Sequence, residues 1–354
     1  MENRQNTLLR IAETLNLSRT TVSVCLSGNA DKGRIKPETV ERVKKHAEKI
    51  NYIPNRIASS LRKPGKAPVG LIISQESSSE KSIYAMRRAM QMLDESDREF
   101  IVQNVLPNHI SDAVVALKGM NVREIIMFGS FRELINENRV PQNMLLRFHA
   151  DMAKLAALLK DMRFFSIDYE FPLPENSDLP NFYRFGINRG DIYVKLFTAL
   201  FKAGKTPVVC DENCILPEII RKLADSGFEI KPSHIISLPD NIFNPFKIGH
   251  ELAQKVIAMI KSDRIRTVVL HDDKVAIGLI DGLLTHGYSV PDDIAVIGFD
   301  NIDVAQYLKI PLTTIELPVM KSTEMVVDAI LKGKEIPKIM ESEGRVVWRD
   351  SAKL

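Results

Sequence analysis

A short segment near the start of the chain, LSRTTVSVCLSG from Leu17, has the spacing of a helix with one outward polar face. Apolar residues fall together on the side that would be buried: Val22, Cys25 and Leu26. Four residues remain on the outward face: Arg19, Thr20, Ser23 and Val24. Guanidinium and hydroxyl groups supply hydrogen-bond donors, and valine supplies methyl groups. This face is suited to contacting a partner that displays acceptors and apolar groups.

Carboxylates form a second set of residues that could do chemistry. Asp272 and Asp273 follow the apolar run RTVVL, and Asp300 follows IAVIGF. Carboxylates at the ends of strands can accept hydrogen bonds from the hydroxyls of a ligand, and they can also cap the next helix. A catalytic pair of Asp272 and Asp273 is disfavoured, because adjacent residues at a strand end point in different directions.

No other group of residues indicates an enzyme or a metal site. The chain lacks the Gly-x-Ser-x-Gly and Gly-x-x-x-x-Gly-Lys motifs, and its seven histidines are scattered. Three cysteines, Cys25, Cys210 and Cys214, are too few for a disulfide framework or a four-cysteine zinc site. We therefore expect a protein that is not an enzyme and that binds neither a metal nor a cofactor.

Three short helices are predicted in the first 50 residues. The first has an apolar stripe: Leu8, Ile11, Ala12 and Leu15. Ser18 can cap the second helix after a tight turn, and Pro37 stands where a third helix would begin. Two helices joined by a tight turn, with a polar face on the second, form a helix-turn-helix, and its second helix fits the DNA major groove.

The charge distribution agrees with a polyanionic partner. Residues 1–68 hold 14 Lys and Arg against 6 Asp and Glu, a net charge of +8, whereas the whole chain carries only +3. A basic region on a mildly acidic body indicates that this region meets nucleic acid. The alternative is that these charges only solvate the surface. The stretch IPNRIASSLRKPGKAP that follows has the composition of a linker, with one or two possible helical turns.

From Val69 the pattern changes to apolar runs that alternate with amphipathic segments. Eight runs predict strands: VGLII, FIVQNV, EIIMF, RFFSID, TPVVC, HIIS, RTVVL and IAVIGF. Helical patterns such as IYAMRRAMQMLDE, IYVKLFTALFKAG and GHELAQKVIAMI lie between them. This alternation is typical of parallel sheets with helices on both faces. Because eight strands are many for one open sheet, we expect an α/β fold with two lobes.

The length and the hydropathy pattern set further expectations. A chain of 354 residues has room for two or three domains, and no apolar run approaches the roughly 18 residues that a membrane span needs. The polar start, MENRQNTLLR, lacks the apolar core of a signal peptide. We therefore expect a cytoplasmic protein without a membrane partner.

These motifs resemble those of the lactose-repressor (LacI/GalR) family of bacterial transcription regulators. The first part of the chain carries TLLRIAETLNLSRTTVS, IKPETVERV and NYIPNRIASSLR. The last part carries HDDKVAIGLIDGLLTHGYSVPDDIAVIGFDN, YLKIPLTTIELPV and VVWRDS. The resemblance implies an α/β fold with an N-terminal three-helix helix-turn-helix domain and a two-lobed periplasmic-binding-protein-like domain of parallel sheets.

The resemblance also implies domain boundaries. It predicts a helix-turn-helix DNA-binding domain at residues 1–53, a hinge helix and linker at 54–68, and an effector-binding and dimerisation domain at 69–354. Within the last domain, lobe one takes about 69–204 and 317–345, and lobe two takes about 205–316 and 346–354.

The family's DNA-contacting positions can be transferred residue by residue. Arg19 and Thr20 match base-reading positions, and Ser23 and Val24 lie on the same face. Ser23 also matches one of the positions that hold the phosphate backbone, and the others are Thr7, Ser18, Thr21, Thr39, Tyr52 and Asn55. For the hydroxyl residues the alternative is capping or simple exposure. In the hinge segment, small residues such as Ala58 allow close helix packing, and Leu61 matches a leucine that wedges into the minor groove.

The sequence departs from the family in four places. Val24 stands where many relatives have arginine, so the half-site preference is expected to differ, and Lys36 replaces a serine or threonine cap. The segment SSSEKSIYAM lacks an aromatic NPFF-like loop, and CILPEIIRKLADSG lacks a Ser-x-x-Arg-x-x-Gly segment.

The family's effector positions are matched by Asp300 and Asp272, and Arg189 lies near another of them. For the two aspartates the alternative is capping of the following helix. We expect weak sugar binding or an unusual effector.

Together these features predict a homodimeric repressor that binds a pseudo-palindromic operator in double-stranded DNA and responds to a small molecule, a sugar or a sugar derivative. A solute-binding protein for a transporter is disfavoured by the basic region and the missing signal peptide. An enzyme of sugar metabolism is disfavoured by the missing catalytic residues. A cytoplasmic sugar-binding protein, or a regulator with a degenerate cleft that needs no effector, stays open as the alternative.

Overall fold

The structure is a computed structural model that describes residues 4–26, 35–50, 52, 67–74, 80–106, 109–129, 142–169, 179–187, 189–206, 208–211, 217–238 and 244–354. The chain divides into two compact units. One unit contains residues 1–68 and 117–122, and the other contains residues 69–116 and 123–354.

The first unit contains three helices: α1 (Arg4–Leu15), α2 (Arg19–Leu26) and α3 (Pro37–Lys49). Each helix contributes two side chains to a small buried core: Ile11, Ala12, Val22, Cys25, Val43 and Ala47. Pro37 is the first residue of α3, as its sequence position predicts, whereas Lys36 before it makes no side-chain capping bond. The predicted three-helix domain is confirmed.

The turn between α1 and α2 follows from two residues. Asn16 takes the left-handed conformation, with φ of 53°, and the N–H of Leu17 donates to the carbonyl of Ala12 at 2.8 Å, which ends α1. Ser18 Oγ then accepts a hydrogen bond from the N–H of Thr21 at 3.0 Å, which caps α2 as the sequence predicts.

Two six-stranded sheets form the body of the second unit. The first contains β1 (Val69–Ser74), β2 (Phe100–Val105), β3 (Glu124–Phe128), β4 (Arg163–Tyr169), β5 (Phe182–Ile187) and β11 (Ile339–Ser342). Its order is β11-β5-β4-β3-β1-β2, and every pairing is parallel. The second contains β6 (Val208–Asp211), β7 (Ile235–Ile236), β8 (Thr267–Val269), β9 (Ala295–Phe299), β10 (Thr313–Glu316) and β12 (Arg345–Val347). Its order is β12-β10-β9-β8-β6-β7, and only β12 pairs antiparallel, with β10.

Eight helices accompany these sheets in the described residues. They are α4 (Glu80–Glu95), α5 (Ile110–Gly119), α6 (Gln142–Leu158), α7 (Arg189–Lys202), α8 (Pro217–Asp225), α9 (Pro245–Asp263), α10 (Asp273–Thr285) and α11 (Val319–Lys332). We call the first sheet with α4 and α11 the first lobe, and the second sheet with α9 and α10 the second lobe. The predicted α/β class with two parallel-sheet lobes is confirmed. None of the described helices is long and apolar enough to cross a membrane.

The chain passes between the sheets three times: between β5 and β6, between β10 and β11, and between β11 and β12. The α7 helix packs against α8 and β12, and the ring of its Tyr193 stacks on Phe299 of β9. The lobe boundary at about residue 204 stays a prediction, since the amphipathic pattern of a helix does not show which sheet it covers.

Sequence patterns missed four strands. In β5, Arg184 interrupts the apolar run although Phe182, Tyr183 and Phe185 beside it are buried. The β10, β11 and β12 strands are only three or four residues long and contain polar residues. Runs this short carry little periodic signal, so their pairing depends on the rest of the sheet.

Candidate functional sites

The outward face of α2 is the first candidate site. Arg19 and Thr20, its first two residues, are exposed, whereas Val22 and Cys25 on the opposite face are buried in the three-helix core. Burial of that apolar face fixes the rotation of the helix about its axis. Ser23 and Val24 are half-buried, each with an interaction inside the protein.

Ser18 and Thr21 form a polar corner at the start of α2. Their hydroxyl oxygens are 2.8 Å apart, and Ser18 Oγ also accepts from the backbone N–H of Thr21. Ser18 is exposed, so its oxygen stays accessible while it caps the helix. Ser18 therefore caps the helix, which was the alternative to a DNA contact. Because the residue is exposed, the cap does not prevent an additional contact with DNA.

Thr39 and Tyr52 lie at the two ends of α3. The N–H of Thr39 donates to the carbonyl of Lys36 at 2.9 Å, and the ring of Tyr52 packs against the three-helix core. Burial raises the pKa of the Tyr52 hydroxyl, while the positive charge of Arg19 acts in the opposite direction. The fold therefore brings Tyr52 close enough to Arg19 for their charges to interact.

Several predicted DNA contacts lie outside the part of the chain that the structure describes. They are the side chain of Thr7, whose backbone belongs to α1, and the hinge residues Asn55, Ala58 and Leu61.

The carboxyl ends of β8 and β9 form the second candidate site. These strands pair in parallel, so His271 and Asp272 after β8 and Asp300 after β9 emerge at the same edge of the second sheet. Asp272 Oδ1 accepts from the backbone N–H groups of Lys274 at 2.6 Å and Val275 at 3.1 Å, so it caps α10. Burial raises the pKa of Asp272, although these hydrogen bonds oppose the shift.

Asp273 points into the second lobe rather than into the same space as Asp272. Its Oδ2 accepts from the N–H of Ile302 at 2.9 Å, and its Oδ1 accepts from the hydroxyl of Thr314 at 2.6 Å. Burial raises its pKa to about 7. The two aspartates thus serve different elements, which agrees with the argument against a catalytic pair.

The Asp300–Asn301 turn is held in an unusual backbone conformation. Both residues have positive φ, 103° for Asp300 and 49° for Asn301. The N–H of Asp300 donates to the carbonyl of Ile315 at 2.9 Å, and Asn301 Nδ2 donates to Glu316 Oε1 at 3.0 Å. These bonds attach the turn to β10, which leads towards the second crossing between the lobes.

Two arginines complete this network. Arg345 Nε donates to Glu316 at 2.6 Å, and a guanidinium nitrogen of Arg349 donates to Asn301 Oδ1 at 2.7 Å. Burial acts to raise the pKa of Glu316, but the hydrogen bonds from Arg345 and Asn301 outweigh it and the pKa is lowered. The carboxylate of Glu316 is thereby kept charged between the turn and the crossing strands.

An aromatic cluster adjoins His271. The hydroxyl of Tyr193 and Nδ1 of His271 are 2.5 Å apart, and the His271 and Phe299 rings have centroids 4.1 Å apart. The motifs in the sequence indicate neither Tyr193 nor His271 as a site residue. The histidine could have been found, because it directly precedes Asp272 at the same strand end.

Arg189, the third predicted effector residue, is the first residue of α7, and its side chain lies outside the described part of the structure. Across the described residues, no three histidine, cysteine, aspartate or glutamate side chains are grouped so that they could hold a metal ion. Cys25 and Cys210 are both buried.

Both parts of the chain match families of known proteins. Residues 7–55 match the family model of bacterial regulatory proteins of the lacI family, and residues 244–352 match a periplasmic binding protein-like domain. The lactose operon repressor of Rhizobium radiobacter is 35% identical over 109 residues, which cover 30% of this chain and 94% of that sequence. The HTH-type transcriptional repressor PurR of Vibrio campbellii is 24% identical over 376 residues, 98% of each chain.

A solved structure shares the whole fold. The Lac repressor dimer bound to operator and the anti-inducer ONPF aligns over 96% of this chain and 97% of that one, with a TM-score of 0.68 and 17% identity. Three observations point to the same family. One face of α2 is exposed while its opposite face is buried in the core, the second unit has two parallel-sheet lobes, and the two matched regions lie in these two parts of the chain. The chain therefore belongs to the LacI family of bacterial regulatory proteins, transcriptional regulators that bind DNA through an N-terminal helix-turn-helix.

Proposed function

We propose that the protein is a homodimeric repressor that binds a pseudo-palindromic operator and is controlled by a small molecule bound between its lobes. The observation that carries this proposal is the exposure of Arg19 and Thr20 at the start of α2, whose opposite face is anchored in the core. An anchored helix presents these side chains to a DNA groove in one defined orientation.

Arg19 and Thr20 read base edges in this proposal, with Ser23 and Val24 further along the same face. Arginine can donate two parallel hydrogen bonds to guanine, and valine can contact a thymine methyl group. The phosphate contacts are proposed for Thr7, Ser18, Thr21, Thr39, Tyr52 and Asn55. Ala58 and Leu61 form the minor-groove hinge, with Leu61 as the wedge.

Edge strand β2 supports the homodimer. It lies at the end of the first sheet among the described strands. Val102 within the strand is 42% exposed, and Leu106 directly after it is 43% exposed. Val115 of α5 is exposed by 55%. Exposed large apolar side chains beside the outermost described strand of a sheet indicate a surface that another chain covers. A second copy fits, because symmetric half-sites need two recognition helices related by a two-fold axis.

The effector site is proposed at the carboxyl ends of β8 and β9. Asp300 and Asp272 would accept hydrogen bonds from ligand hydroxyls, and Arg189 would contribute from the start of α7. A sugar or sugar derivative is the ligand class that this chemistry favours, and the name of the Rhizobium radiobacter relative refers to a sugar operon. The alternative, a degenerate cleft without an effector, is supported by the capping role of Asp272.

Selection of DNA from a random pool, followed by footprinting with the full chain, tests the DNA-binding part. We expect a symmetric site with two protected half-sites, and an affinity that falls steeply with salt because phosphate contacts release counterions. A single protected half-site at saturation would overturn the homodimer model.

Calorimetry with mono- and disaccharides tests the effector part. We expect heat of binding for at least one sugar on the wild type and its loss in Asp300→Ala, while Asp350→Ala, an exposed carboxylate near the C-terminus, keeps it. Sugar binding that survives Asp300→Ala would show that the site is elsewhere. Absence of binding to every sugar would favour the alternative.

A further inference from the structure

Two ion pairs join the lobes at the first turn of α4. Nζ of Lys274, in the second lobe, is 2.8 Å from Oε1 of Glu80 in the first lobe. Nζ of Lys81, next to Glu80, is 3.9 Å from Oδ1 of Asp303, which follows the Asp300–Asn301 turn. Each pair therefore has one partner on each side of the cleft.

Helix electrostatics explain why these lysines need partners. Lys274 and Lys81 both lie in the first turn of a helix, α10 and α4 respectively, where the macrodipole disfavours a positive charge. Each is paired with a carboxylate, and in both pairs that carboxylate comes from the opposite lobe. The side chains of Lys274 and Glu80 are 24% and 34% exposed, so water screens this pair only in part.

The same charges reach the residues of the candidate effector site. The negative charge of Glu80 repels that of Asp272 and helps to raise the pKa of Asp272, whereas the positive charge of Lys81 attracts Glu316 and helps to lower the pKa of Glu316. Separating the lobes would remove both ion pairs and the attraction between Lys81 and Glu316, and it would leave Lys274 with Asp272 of its own lobe as a carboxylate neighbour.

We propose that the Glu80–Lys274 pair, supported by the Lys81–Asp303 pair, is a latch that holds the two lobes together without a bound ligand. The lobe arrangement then depends on ionic strength, and an incoming effector must either keep this pair or replace one of its partners. That the latch also controls operator affinity rests on the proposed function.

Electron-spin distance measurements test the latch without DNA. Spin labels are placed at two exposed positions, Ser96 after α4 and Lys255 in α9, each changed to cysteine. Labelled chains are mixed with an excess of unlabelled protein so that only distances within one chain are measured. Glu80→Gln and Lys274→Met each remove one charge of the pair with little change in side-chain size. The double variant completes a double-mutant cycle, which measures the interaction between the two residues.

We expect each single variant to raise the ratio of open to closed lobes about fivefold, because a partly screened ion pair contributes up to about 1 kcal/mol. The double variant should open no further than either single one, since both remove the same interaction. High salt should open the wild type more than the variants, because the variants keep only the Lys81–Asp303 pair. Lys332→Met, which breaks the pair with Asp328 inside α11, is the matched control and should leave the distance unchanged.

Unchanged distances in both single variants, or additive opening in the double variant, would overturn the latch. Operator affinity, measured on the same proteins, separates the two proposals. If the lobes open as expected while operator affinity stays the same, the latch stands and control of DNA binding by lobe arrangement is wrong.

Discussion

The hydroxyl of Thr314 donates a 2.6 Å hydrogen bond to Oδ1 of Asp273, joining β10 to the start of α10 inside the second lobe. The N–H of Ile302 donates to the other oxygen of the same carboxyl group. Burial raises the pKa of Asp273 to about 7, so the folded protein binds this proton more tightly than the unfolded chain does. The stabilising effect is complete below the unfolded pKa and is lost as the pH rises through the folded value.

We therefore predict a pH-dependent effect of Asp273→Asn. Relative to this variant, the wild type should lose free energy of unfolding by up to about 1.4 kcal/mol per pH unit between about pH 4 and pH 7. Asparagine has nearly the shape of aspartate. Its amide oxygen can accept the hydrogen bond from the N–H of Ile302, and its amide N–H can donate to the hydroxyl of Thr314. Urea unfolding at a series of pH values measures the difference. Asp94→Asn, at an exposed aspartate, is the control, and parallel curves for Asp273→Asn and wild type would contradict the assignment.

Gly278 is required for the close packing of α9 and α10. A Cβ atom at this position would lie 2.0 Å from the carbonyl oxygen of Phe246, a backbone atom that can move only with its helix. Gly278→Ala should lower the free energy of unfolding by about 1–3 kcal/mol or more. Gly119→Ala, where a Cβ would meet nothing within 4 Å, is the control and should be neutral or slightly stabilising. Equal stability of the two variants in urea would show that the helices can separate freely.

Ser18 combines two roles that substitution can separate. Ser18→Ala should destabilise α2 by about 1 kcal/mol through loss of the cap, and it should also weaken DNA binding. Ser18→Asp keeps a capping oxygen but adds a charge that phosphate repels, so helicity should be retained while operator affinity falls. Hydrogen exchange of the α2 amides and operator titration measure the two effects. Full operator affinity in Ser18→Asp would exclude a nearby phosphate.

Arg19→Ala should cost about 1–3 kcal/mol of operator affinity and relax selectivity at one base pair in each half-site. Arg42→Ala, which removes an exposed charge from α3, serves as the comparison because it changes net charge equally. Binding to the operator and to single-base variants of each half-site is measured at fixed salt. An equal loss on operator and random DNA would make Arg19 a phosphate contact.

Local sequence was sufficient for the helix-turn-helix and for eight of the twelve strands in the described residues. The cap at Ser18, the start of α3 at Pro37 and the buried face of α2 each depend on residues within one or two turns of each other, so composition and spacing specify them. Alternating apolar runs likewise predicted two parallel-sheet lobes, because strands buried on both faces must be apolar throughout.

Only the tertiary structure decided which distant residues meet. Asp272 and Asp300 are 28 positions apart and share a sheet edge because β8 and β9 pair, and Glu80 reaches Lys274 because the two lobes face each other. The cap formed by Asp272, the inward turn of Asp273 and the β10 partners of Asn301 depend on helix direction and strand register. Those quantities are set by the packing of whole sheets, which local spacing does not encode.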